Sequence, residues 1–173
     1  MTGNAPSSHR ILGRLRSADG HGVVRIEDRY DTGIDDLWSA IIDPDRLARW
    51  YGRVEGDLRL GGEFRLFVHA SGWDGVGRVE ACEPPRRLQV RTRESAEPYE
   101  EVVEATLTPD GDQTILVIEA RGMPLDKVAF YGAGWQLHAE DLAAYLAGRG
   151  RADAGQRFGE LVPSYQAQAA KIS

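Results

Sequence analysis

Polarity along the chain changes its period three times. From Arg10 to Arg16 and from Val23 to Tyr30, β-branched and polar residues mix in short extended runs, separated by Ser17 to Gly22 with an Asp19-Gly20 turn signal. This pattern predicts an N-terminal hairpin with His21 as a solvated turn residue. Thr32 then precedes Asp35 by three residues, a helix-start spacing, and Ile34, Leu37, Trp38 and Ile41 recur at helical intervals up to Asp43. Asp43 and Pro44 suit the cap and first turn of a second short helix, with Leu47, Trp50 and Tyr51 on its apolar side and Gly52 as its stop.

Between Val54 and Arg121 the period falls to two, in runs punctuated by Gly and Pro. Five strands are expected there. Their apolar face carries Phe64, Leu66 and Val68, then Val79 and Ala81, Leu88 and Val90, Val103, Ala105 and Leu107, and finally Leu116, Ile118 and Ala120. The opposite face carries charged and polar side chains such as Glu63, Arg78, Glu80, Arg91, Glu104 and Glu119, so the sheet is wet on one side only. Short turns between the runs predict an antiparallel meander.

After Gly122-Met123-Pro124 the helical period returns, and Val128, Tyr131, Trp135, His138, Leu142, Tyr145 and Leu146 form one apolar stripe ending at Gly148. About 22 helical residues span about 33 Å, and seven strands side by side span about 30 Å, so one helix can cross the sheet. A helix about 10–12 Å thick cannot cover it, and the uncovered apolar area implies a curled sheet enclosing space. Gly132 and Gly134 cost about 1 kcal/mol each against Ala inside a helix, which points to close approach or to deliberate room. The expected fold is α+β, a curved antiparallel sheet of about six to seven strands around a long C-terminal helix, with two short helices after the first strand. Residues 1–9 read as a disordered leader and 10–148 as the domain. Residues 149–173 read as an extension, partly helical through Phe158, Leu161, Val162 and Tyr165 and broken near Pro163, packing on the domain.

The order of elements and four local phrases resemble the homologues of the ATPase activator of the ninety-kilodalton heat-shock chaperone, within the START-like and pollen-allergen-like (SRPBCC) helix-grip superfamily. The phrases are Leu37-Trp38 leading to Asp43-Pro44 and Leu47-Ala48-Arg49-Trp50-Tyr51; Gly56-Asp57-Leu58-Arg59-Leu60-Gly61-Gly62-Glu63-Phe64; Gly77-Arg78-Val79-Glu80 leading to Pro84-Pro85-Arg86-Arg87-Leu88; and Gly132-Ala133-Gly134-Trp135 with Leu142. The resemblance covers about Val23 to Gly148. It implies a helix-grip fold with an interior cavity, and relatives that transfer lipids, bind hydrophobic natural products, cyclise polyketides or act as co-chaperones, so the fold alone assigns no activity. Thr92 and Ala120 stand where the resemblance leads one to expect an aromatic and a polar residue, changes that would enlarge or dry the cavity.

Composition narrows the classes. Of 173 residues, 42% are hydrophobic and 28% charged, as in ordinary globular chains, and 173 residues bury roughly 70% of their unfolded surface in a single domain. No apolar run reaches the roughly 18–20 residues that span a bilayer, and no secretion signal opens the chain, so a cytoplasmic bacterial protein without membrane insertion is expected. The net charge of −6 is the wrong sign for a nucleic-acid binder. The dominance of Arg over Lys reads as the coding bias expected of a G+C-rich genome and carries no functional weight. Cys82 stands alone, which excludes an internal disulfide and a cysteine-based metal site.

No catalytic motif is present: no Gly-x-Ser-x-Gly, no His-Glu-x-x-His, no phosphate loop. Gly75-Val76-Gly77 opens like a dinucleotide fingerprint but runs into a strand. His9, His21, His69 and His138 lack metal-ligand spacing, so neither metal nor cofactor is expected. Most histidines on a helix stripe are satisfied core residues, yet His138 should border the cavity and is the one weak catalytic candidate. Glu101 alternates with Val103 and Ala105 and could point inward to an arginine or His138, or lie solvated at a strand end. Trp73, in a Gly-rich loop, reads equally as a lid at the mouth and as a ring tucked over the sheet edge.

The function expected is binding of a small apolar molecule, lipid-like or aromatic, by Trp38, Trp50, Tyr51, Phe64, Leu66, Trp73, Val90, Val103, Phe130, Tyr131, Trp135, His138 and Leu142. The alternatives are a cyclase or hydrolase acting in the same cavity and a co-chaperone-like interaction domain that binds a chaperone. A monomer and a homodimer are both open.

Overall fold

The computed structural model describes residues 10–172, and the leader expected over 1–9 lies outside them. The described residues form β1 (Gly13–Ala18), β2 (His21–Tyr30), α1 (Ile34–Ile42), α2 (Pro44–Trp50), β3 (Gly52–Gly56), β4 (Glu63–Val68), β5 (Asp74–Glu83), β6 (Arg87–Glu94), β7 (Glu101–Asp110) and β8 (Gln113–Pro124), then α3 (Val128–Leu146) and α4 (Ala154–Ala169). The strands make one curved, unclosed antiparallel sheet in the order β1-β2-β8-β7-β6-β5-β4-β3. Consecutive strands pair everywhere except β2 and β3, and β2 pairs instead with β8. Between them α1 and α2 carry the chain from β2, next to one edge of the sheet, to β3 at the opposite edge.

Eight strands stand where six to seven were expected. The additional one, β3, follows α2 at Gly52, the residue read as a simple helix stop; Gly52 pairs with Val68, and a Cβ on it would lie 2.4 Å from the Phe67 carbonyl oxygen. Five residues with two glycines carry too little period to be seen in sequence. The predicted face of β5 is also corrected: a bulge lies between Val79 and Ala81, so Val79 pairs with Val90 whereas Ala81 pairs with Gln89 and Cys82 with Leu88. An extra residue reverses the alternation beyond it, and Cys82, not Ala81, packs on the apolar side.

The helix starts differ in detail. Asp43 caps α2 as expected, accepting from the Asp45 N–H at 3.0 Å. The Thr32 hydroxyl instead donates to Asp36 at 2.7 Å, and Gly33 is the residue that precedes α1. Trp50 Nε1 donates to the Ala40 carbonyl at 2.9 Å, and Arg46 donates to the Tyr145 hydroxyl at 2.8 Å, so α2 is pinned to both α1 and α3.

The outer face of the sheet is a ladder of ion pairs. Arg91 meets Glu80 at 2.8 Å, and Arg121 lies 3.3 Å from Glu119 and 3.7 Å from Glu104. Exposed pairs of this kind add little individually, but they keep that face wet and unavailable to the core.

The extension is one continuous helix with Pro163 inside it, not a helix broken there. It packs against α3 and the edge strand β1. Gln168 accepts from the Leu15 N–H and donates to the Gly13 carbonyl, both at 2.9 Å, while the Tyr165 hydroxyl accepts from the Gly13 N–H at 2.9 Å and donates to Gln136 at 2.5 Å. Side chains of α4 and α3 thereby occupy the backbone groups that β1 would otherwise offer to another strand. Arg157 adds two hydrogen bonds to Glu140, both at 2.7 Å.

Candidate binding site

Two faces of α3 do different work. Ala129, Gly132, Ala133 and Gln136 are buried, and a Cβ on Gly132 would lie 2.6 Å from Tyr165 and 3.0 Å from Leu15; this is the close approach that seats α3 against α4 and β1. The Tyr131, Trp135 and His138 side looks the other way, into a cavity of about 550 Å³. Gly134 faces that cavity, with nothing within 4 Å of a Cβ placed on it. Both meanings of a helical glycine occur two residues apart.

The sheet supplies the facing wall through Phe64, Leu66 and Val68 of β4, Leu88, Val90 and Thr92 of β6, Glu101, Val103 and Ala105 of β7, and Leu116 and Ile118 of β8. From β5 no side chain enters, because its inward positions there are Gly75 and Gly77. A Cβ on Gly77 would come within 2.4 Å of the Phe64 ring and one on Gly75 within 2.5 Å of the Trp73 ring. Trp73 is thus tucked over the strand and is part of the wall. Ile41 of α1, Leu47 and Trp50 of α2, Tyr51, Val54 and Leu58 close the end, and α4 reaches the mouth with Ala154, Gly155 and Phe158. Phe158 stacks on Phe130 with ring centroids 6.3 Å apart, and Phe130 is the more exposed of the large apolar residues at the cavity.

Of the residues expected at the pocket, Trp38 does not line it. It is buried in the main core one helical turn before Ile41, which does. A stripe at helical spacing is wide enough to serve two surroundings, and sequence gives no division between them. Trp50, Tyr51, Phe64, Leu66, Trp73, Val90, Val103, Phe130, Tyr131, Trp135, His138 and Leu142 all line the cavity. Thr92 lines it too, whereas Ala120 is buried away from it. The α4 residues escaped notice because an apolar period shows that a helix packs, not where.

Few polar groups enter this space. His138 packs edge-on against Tyr51 and Trp135, at 4.9 and 5.4 Å between centroids, and its Nδ1 is buried without a hydrogen-bond partner among the described residues. Burial holds the imidazole neutral by pulling its pKa down to about 4. Glu101 reaches neither an arginine nor His138. Its carboxylate accepts from Trp135 Nε1 at 3.3 Å, and burial, opposed by that bond and reinforced by Glu94, pushes its pKa up to about 7. The Tyr99 and Tyr131 hydroxyls share a bond of 2.5 Å, and burial raises the pKa of both. Among the described residues no cluster of His, Cys, Asp and Glu could hold a metal ion, and no helix is long and apolar enough to cross a membrane.

An unclosed antiparallel sheet gripping a long C-terminal helix over an internal cavity defines a helix-grip protein of the SRPBCC class. A sequence profile of the family described as activator of Hsp90 ATPase homolog 1-like protein matches residues 31–147, and the chain belongs to that family. No curated protein matches it. Among solved structures, CalU16 from Micromonospora echinospora is 30% identical over 91% of this chain and 95% of its own, with a TM-score of 0.76. DynU16, a protein of the dynemicin biosynthetic locus, is also 30% identical with a TM-score of 0.70, over 79% of this chain and 51% of its own. MLL2253 from Mesorhizobium loti, 24% identical over 72% of this chain and 96% of its own with a TM-score of 0.66, shares the fold. The family match ends before α4.

Proposed function

We propose that the protein binds one small, largely apolar molecule in the cavity between the sheet and α3. The observation that carries this reading is the lining itself: about 550 Å³ of space walled by aliphatic and aromatic side chains, with a handful of buried polar groups and an unpartnered His138 Nδ1. Such sites for drug-sized molecules occupy about 300–1,000 Å³ and use few polar anchors to set orientation. The location of DynU16 in a biosynthetic locus is compatible with a carrier or modifier of such molecules. Native mass spectrometry of gently purified protein, followed by identification of what dissociates on denaturation, tests the reading. A stoichiometric apolar passenger is expected; failure of the protein to retain or take up any member of a panel of apolar compounds would sink it.

A second reading, a cyclase or hydrolase in the same cavity, is favoured by one observation. Glu101 is a buried acid tuned near neutral pH, where a general acid or base is most effective. His138, held neutral far below its ordinary pKa, suits positioning better than proton transfer. Turnover lost in Glu101→Gln but retained in His138→Asn is the pattern expected of an enzyme; turnover that needs neither residue excludes this assignment.

A further inference from the structure

The cavity is uneven in charge. No Lys or Arg lines it, and its one carboxylate, Glu101, makes no ion pair among the described residues. The neighbouring cations are committed elsewhere. Lys127 pairs with Glu97 at 3.1 Å and lies over the Tyr99 ring, and Arg91 pairs with Glu80 and Glu100 on the outer face. Glu94 adds a second negative charge that acts on Glu101, and both Tyr51 and Tyr131 feel the Glu101 charge. His138, from α3, offers a neutral ring and no positive charge. The rings of Tyr51, Trp135 and Tyr131 line the cavity with the carboxylate, and the π face of such a ring attracts a cation.

On the reading that the cavity binds a ligand, we infer that this ligand carries a basic nitrogen: an apolar, ring-containing body with one protonated amine held against Glu101. A buried carboxylate without a counter-charge is costly, and once the group has lost its proton at alkaline pH the folded chain carries that cost. A bound ammonium group supplies the missing partner at the expense of its own dehydration alone, whereas a ligand carboxylate would meet a like charge with no cation to relieve it. Fatty acids and other anionic amphiphiles are therefore the class this cavity disfavours.

The test uses three probes with one body: naphthylmethylamine, naphthylmethanol and naphthoic acid, titrated into the full chain and into Glu101→Gln by calorimetry at slightly alkaline pH. The amine should bind roughly ten- to a hundredfold more tightly than the alcohol, with the acid weakest, as a charge-assisted contact implies. In Glu101→Gln the preference for the amine over the alcohol should vanish, and a cooperative thermal melt shows that the variant is folded. An amine no tighter than the alcohol, or a preference that survives Glu101→Gln, overturns the inference while leaving the cavity reading standing. Absence of binding by all three overturns both.

Discussion

Glu101 and His138 are displaced in opposite directions by the same burial, so they tilt stability against pH in opposite ways. A carboxyl whose folded pKa is raised to about 7 holds its proton when the unfolded chain has lost it, so stability falls as pH rises from about 4.5 to 7. A histidine whose folded pKa is lowered to about 4 does the reverse: the unfolded chain binds its proton first, and stability falls as pH drops from about 6.5 to 4. Each effect is on the order of 3 kcal/mol when fully developed. Urea denaturation across this range should show Glu101→Gln more stable than the parent above pH 7, with the gain fading towards pH 4.5, and His138→Phe relieved of the acid-side loss. Curves parallel to the parent's in both variants would refute the burial of these groups. Sequence reading had placed His138 at the cavity by its helical stripe. It could not rank Glu101, because a carboxylate at a strand end looks the same whether it is solvated or sealed beneath Trp135.

The three-residue phrase from Gly132 to Gly134 shows how one helix meets two surroundings. Ala is the better helix former by about 1 kcal/mol at either glycine, but only Gly134 has room for it. Gly134→Ala should therefore raise stability by up to about 1 kcal/mol, whereas Gly132→Ala should lower it by about 1–3 kcal/mol through the clash with fully buried Tyr165. Thermal and chemical melts of the two variants read this directly, and equal shifts would contradict the packing of α3 on α4. The long helix, the two short ones and most strands were legible from period and punctuation. The short strand β3 and the bulge in β5 were not, since neither changes composition and each is fixed by the strand beside it. Pro163 misled for a related reason: its cost in isolation is real, but α4 is held by Tyr165, Gln168 and Arg157 on both sides of it.

Across the molecule, the cavity exists because α3 leans on β1, β2 and α4 at one end of the sheet and leaves β4, β6 and β7 uncovered at the other. The space is therefore a consequence of where the helix is anchored, and filling it should cost no anchor. Ala105→Phe projects a ring into the cavity from β7, and it is expected to abolish uptake of apolar probes by fluorescence titration while leaving the melting temperature unchanged or higher. A variant that still binds normally would place the ligand elsewhere. Phe158 at the mouth lies in α4, beyond the residues matched by the family profile, so part of the entrance belongs to a segment that the family pattern does not specify.

Sequence by itself determined the class of elements, their order, the apolar face of the sheet and the presence of more apolar surface than one helix can cover. These follow from periodicity, turn chemistry and element dimensions, which are local or additive properties. Tertiary structure alone decided that Trp38 serves the core and Ile41 the cavity, that Cys82 and not Ala81 faces inward, that α4 packs on the β1 edge and reaches the cavity mouth, and that Glu101 is buried at the cavity without a cation beside it among the described residues. Each of these depends on which surface a side chain meets after the chain has folded back on itself, and the meeting partners lie as far apart in sequence as Gly13 and Gln168.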